Sequence, residues 1–212
     1  MHKKTGLAWS AVIVPVLIAA GCASLPDEAT TRQIAEGMIK VGFSATPEHA
    51  KRLVQDKSQQ ICSKIGDARL TPGEADEVLK LARASIKYPQ SGKLAGDWKV
   101  GAKLAYNGSG TRIRGGKLEK AKENGALCSN CHVLDPKEFN VGNIGPSLAG
   151  YGAQRGNSDA TVKYTYEKLY NAWAYFPCSN MPRLGHNGHL TPEQITHVVA
   201  YLTDPASPVN RK

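Results

Sequence analysis

Redox-active and metal-binding side chains are scarce in this chain. Its 212 residues include five cysteines, three methionines and six histidines, and aromatic residues make up only 7%. A single Cys-x-x-Cys pair occurs, at Cys128 and Cys131. A structural zinc site needs four ligands, and there is no second pair to supply them. The strand–helix–strand pattern that would surround a thioredoxin-like thiol couple is also missing. No nucleic-acid-binding motif accompanies the basic residues. No general base or spare activated thiol stands beside a recognisable substrate pocket. The length suits one or two domains with a sizeable core, but neither a channel nor a large enzyme.

What is present is Cys128-Ser129-Asn130-Cys131-His132, the attachment pattern of a c-type haem. Thiols at i and i+3 lie on one side of a helical turn, so both can add to the vinyl groups of one porphyrin. The adjacent histidine can then reach the iron. This predicts one covalently bound haem c, held by Cys128 and Cys131 with His132 on the iron.

Residues 1–22 read as an export leader. His2, Lys3 and Lys4 precede an apolar run from Leu7 to Ala20 that is too short for a spanning helix. Ala19-Ala20-Gly21-Cys22 resembles a bacterial lipobox, although Ala19 stands where leucine is usual. Two readings stand: acylation of Cys22 with anchoring to the membrane, or ordinary cleavage nearby. Either delivers the chain to the periplasm, the compartment in which such haem motifs are loaded. Losing Lys3 and Lys4 with the leader takes the formal charge from +9 to +7. That basicity suits an acidic partner protein or anionic substrate rather than nucleic acid.

The expected organisation is all-α, with a helical N-terminal extension over 23–105 and a haem domain over 106–212. In the extension, Ile34, Met38 and Ile39 suggest one amphipathic helix. Thr46-Pro47 starts a second, and Thr71-Pro72-Gly73-Glu74 starts a third with a capping box. Met38 is expected in the core and His49 at the surface. Residues 87–110 are rich in Gly, Pro, Asn and Ser and read as a long connection. Between Lys87 and Glu123 there are nine Lys or Arg against three Asp or Glu, a solvated face or a partner-facing one. A helix is expected from about Gly116 into the haem motif.

From there the parts resemble a class I cytochrome c. Gly145-Pro146-Ser147-Leu148 begins thirteen residues after His132. The resemblance implies that the Pro146 carbonyl orients His132, and that Arg155 stands against a haem propionate unless it is only a solvated loop residue. Helices are expected from about Asp159 and, with a capping box, from Thr191. The candidates for the sixth iron ligand are Met38, Met181, His49, His186, His189, His197 and, less usually, Cys178. Met181 lies 49 residues after His132 in a proline-flanked loop, where the class I fold places its methionine. His186 and His189 are expected to be exposed.

The resemblance narrows further over Cys178-Ser179-Asn180-Met181-Pro182-Arg183-Leu184-Gly185-His186-Asn187-Gly188, Leu190-Thr191 and the ending Tyr201 to Asn210. Tyr88 to Lys99 and Gly145 to Gly152 add to it. These stretches are similar to the SoxX family, the small cytochrome subunits of SoxAX thiosulfate-oxidising complexes. Membership would imply a heterodimer with a SoxA-like haem subunit and transient contact with the SoxY sulfur carrier. It would also imply electron delivery to a downstream cytochrome, with no catalysis by this chain alone. The rival is a free-standing, membrane-tethered electron carrier of another respiratory chain.

With haem and leader accounting for three cysteines, Cys62 and Cys178 are left in an oxidising compartment. A disulfide between them is expected. Two buried free thiols, or a bond from one of them to a partner subunit, are the alternatives.

Overall fold

The computed structural model describes residues 26–42, 53–64, 69–114, 117–119, 121–139 and 141–211, without the side chains of 113, 114, 117 and 118. The readings at Cys22, Thr46-Pro47 and His49 lie outside the described residues. The chain divides into two units, Met1–Ser44 and Ala45–Lys212.

The first unit contains helix α1, Glu28–Gly42. Asp27 caps it, Oδ1 accepting from the Thr30 amide at 2.9 Å. Its apolar residues recur at helical spacing, yet none is buried. Met38 is exposed, which corrects the expectation of core packing: a helical pattern shows which side chains share a face, not whether anything covers it.

The second unit holds helices α2 (Lys57–Ser63), α3 (Pro72–Ala84), α4 (Trp98–Tyr106), α5 (Tyr151–Arg155), α6 (Asp159–Tyr170) and α7 (Pro192–Thr203). Strands β1 (Arg112–Arg114) and β2 (Lys117–Glu119) form one small antiparallel ladder. Among the described residues the fold is otherwise helical, the all-α organisation expected from the sequence. Its centre is α7, which opens with the capping box of Thr191 and Gln194. Ile195, Val198, Val199, Tyr201 and Leu202 bury nearly every side of it. The helix therefore sits within the core rather than on it.

Helix α4 packs against α7 and corrects the long connection read over 87–110. Asp97 caps it, Oδ1 accepting from the Lys99 amide at 2.7 Å, and Leu104 and Ala105 are buried. Gly101, read as a loop signal, is the crossing point. A Cβ there would run into the carbonyl oxygen of His197 on α7, so glycine permits the close approach. The unit boundary accordingly falls at 44/45, and α2, α3 and α4 belong with the haem motif rather than with a separate 23–105 extension.

The helix expected from Gly116 is also absent among the described residues. Residues 117–119 are strand and 121–127 are irregular. Charged residues are dense at the start of this stretch, with Lys117, Glu119, Lys120, Lys122 and Glu123, and leave no continuous helical apolar stripe to bury. Its backbone is instead tied elsewhere, Gly125 N to Ser109 O and Ala126 N to Leu104 O, each at 2.8 Å. Helix α3 does open with the Thr71–Glu74 capping box. The chain after it is fixed by Tyr166, whose hydroxyl donates to Lys87 O at 2.7 Å and whose ring stacks on Tyr88.

Candidate haem site

The attachment motif forms a tight turn. Leu127 adopts the left-handed conformation (φ 40°), and Cys128–Asn130 make one 3-10 turn. The amides of Cys131 and His132 donate to Cys128 O at 3.0 and 2.9 Å. This brings Cys128, Cys131 and His132 onto one turn, as covalent attachment requires. Neither Cys128 nor Cys131 is in a disulfide, so both sulfurs are left for the porphyrin.

A returning loop then fastens the turn. Gly142 N donates to Ser129 O, Gly145 N to Cys131 O, and Leu148 N to Val133 O, at 2.8 to 2.9 Å. His132 Nδ1 lies 2.6 Å from Pro146 O. A carbonyl only accepts, so Nδ1 carries the proton and Nε2 keeps its lone pair for a metal. A Cβ on Gly145 would collide with the His132 ring. Only glycine leaves the imidazole room beside the loop. Sequence reading assigned Pro146 but missed Gly145, although its place immediately before that proline was a usable signal.

Met181 is partly buried and packs, like Cys128, against the core cluster that includes Leu134, Leu169 and Val199. Its amide donates to Ser179 Oγ at 3.2 Å. Trp173 Nε1 donates to Ser179 O at 2.7 Å. Cys178, at φ 58°, is bonded to Cys62, with Cα atoms 5.4 Å apart. As a disulfide sulfur it is not a thiolate competitor for iron.

The histidines near this loop are partly buried rather than exposed, a correction. His186 Nε2 is 3.2 Å from Asp56 Oδ2. His189 Nε2 donates to Gly125 O at 2.6 Å. His197 Nδ1 accepts from Asp97 N at 2.8 Å. A hydrogen-bond partner already orients one ring nitrogen of each. Arg155 ends α5 with its guanidinium 5.2 Å over the Tyr151 ring and 5.9 Å from that of Tyr164. It is exposed and stacks on aromatic faces.

Arg183 was not singled out from the sequence. It is 5% exposed, donates Nη1 to Asp56 Oδ2 at 2.7 Å, and lies 4.3 Å over the Trp173 ring. Asp56 is also the cap of α2, Oδ1 accepting from Gln59 N at 2.8 Å. Burial pushes the Asp56 carboxyl up. The Gln59 amide, the Arg183 guanidinium and His186 outweigh that and hold it below the usual carboxylate range. The Asp56-Lys57-Ser58-Gln59 capping box is a local pattern that the sequence reading passed over, and its long-range partner has no local signal.

Two thiols on one turn, an imidazole with its outer nitrogen fixed, and a glycine cleared for that ring fit a covalently attached haem. The cytochrome c family model matches residues 118–204. Residues 118–204 are a cytochrome c domain. The chain binds haem c covalently, and the haem iron supplies one-electron transfer. An uncharacterized lipoprotein of Aquifex aeolicus (strain VF5) is 43% identical over 180 residues, covering 84% of each chain. Among the described residues no helix is long and apolar enough to cross a membrane.

Proposed function

We propose that this cytochrome is the monohaem subunit of a SoxAX-type complex, with His132 and Met181 as axial ligands. The observation that carries the reading is the segment Cys178 to Gly188, whose succession of residues around Met181 resembles SoxX. In this role a SoxA-like partner hosts the sulfur chemistry. Oxidative joining of thiosulfate to the carrier cysteine of a SoxY-type protein forms one S–S bond and releases two electrons. One haem takes them singly, so a downstream cytochrome must empty it between transfers. The chain contributes electron removal to the thiosulfotransferase reaction and is not catalytic alone. A thioether ligand favours reduced iron and suits that task.

The name of the Aquifex relative and the lipobox-like Ala19 to Cys22 favour a second reading, a membrane-tethered carrier serving another periplasmic chain. In this second reading Cys22 carries the anchor, two acyl chains being enough for stable attachment. Native co-purification followed by thiosulfate-dependent haem reduction separates them. A haem-bearing partner that restores reduction supports SoxAX. Purification alone, with no reduction by thiosulfate in any fraction, leaves the free carrier.

A further inference from the structure

The two ends of α2 hold the two flanks of Met181. At its start, Asp56 Oδ2 accepts from Arg183, two residues after the methionine, at 2.7 Å. At its other end, Cys62 is bonded to Cys178, three residues before it. Trp173 connects the two grips, donating to Ser179 O at 2.7 Å while Arg183 covers its ring at 4.3 Å. Ser179 Oγ in turn accepts from the Met181 amide at 3.2 Å. Asp56 is fixed independently by the capping box with Gln59, so the carboxylate does not follow a loop that pulls away.

We infer that α2 is a clamp on the methionine loop: Asp56, Arg183 and the Cys62–Cys178 bond are positioning residues that keep the iron's sixth position closed to small ligands. This rests on the reading of Met181 as that ligand. A lone loop would swing its thioether off the iron by moving a few backbone dihedrals. With both flanks tied to one short helix, departure also requires breaking an ion pair or bending a covalent cross-link. Closure therefore belongs to the clamp as well as to the iron–sulfur bond.

The test measures cyanide binding to the ferric, full-length holoprotein at neutral pH. Three variants are compared with the unmodified protein: Asp56→Asn, Arg183→Gln, and Cys62→Ala with Cys178→Ala. Each should bind cyanide at least about tenfold faster while keeping, before cyanide is added, the near-infrared band of sulfur–ferric ligation. Asp56→Glu, which preserves the charge, should restore most of the closure. Guanidinium titration of the same variants separates local opening from unfolding. Rates that rise only in proportion to the globally unfolded fraction overturn the clamp. Rates within twofold of the unmodified protein in both the ion-pair and the disulfide variants overturn it too. Met181→Ala is the reference. Loss of its band with fast cyanide binding upholds the ligand assignment, whereas an unchanged band removes that assignment and the clamp with it.

Discussion

Around His132 the ties are short in sequence, and around Met181 they are long. His132 is oriented by Pro146, and its turn is closed by Gly142 and Gly145, all within one loop of about fifteen residues. The methionine loop is held by Cys62, by Asp56, and by Arg83, whose Nε donates to Ala174 O at 3.1 Å. The disulfide alone spans 116 residues. Closing a short loop costs little chain entropy, and closing a long one costs more. The histidine side can thus assemble from its own segment, while the methionine side depends on the rest of the unit having folded. The division suits a protein whose covalent haem attachment occurs on the first side.

The largest blow to this contrast should come from removing the long tie. Cys62→Ala with Cys178→Ala should lower stability by about 4–5 kcal/mol in the chain-entropy model, read by guanidinium unfolding. Haem attachment, read by mass spectrometry, should persist, because Cys128 and Cys131 lie on the short-range side. Loss of covalent haem in that variant would mean the two sides are not independent.

A smaller change attacks the short-range side directly. Gly145→Ala places a methyl against the His132 ring, and overpacking of this kind costs about 1–3 kcal/mol. The ring must shift relative to Pro146 O, so an altered haem spectrum should accompany the loss. An unperturbed spectrum at full stability would show that the loop gives way without disturbing the histidine.

The same contrast explains what could be read without coordinates. Cys128, Cys131 and His132 form a pattern of closely spaced residues with a local physical meaning, and Pro146 was reached through the resemblance to class I cytochromes. The Thr71 and Thr191 capping boxes were legible as local patterns too. Helix α4 was not, because Gly101 breaks helices on average and is tolerated here only through its contact with α7, a hundred residues away. Arg183 entered only as one position of the segment from Cys178 to Gly188, with no role of its own. Its burial depends on Trp173 below and Asp56 beside it, and no local pattern announces a partner 127 positions distant. Met38 failed in the opposite direction, its helical face being real but uncovered.

The finest probe of the long-range side is acid. Asp56 keeps its charge below the usual carboxylate range because the Gln59 amide, Arg183 and His186 outweigh the effect of burial. A carboxyl with a depressed folded pKa contributes stability that is complete above its unfolded value, about 3.9, and is lost as pH falls through the lower folded value. The ion pair should therefore hold at pH 4 and release below it. The side chain of Asp56 is 37% exposed, so solvent screening keeps the contribution on the order of 1 kcal/mol. An acid titration of the sulfur–ferric band should show this step in the unmodified protein. In Asp56→Asn the step should be missing, with the loop loosened at every pH. Titration curves of the same shape for both proteins would show that Asp56 does not govern the acid release of the methionine side.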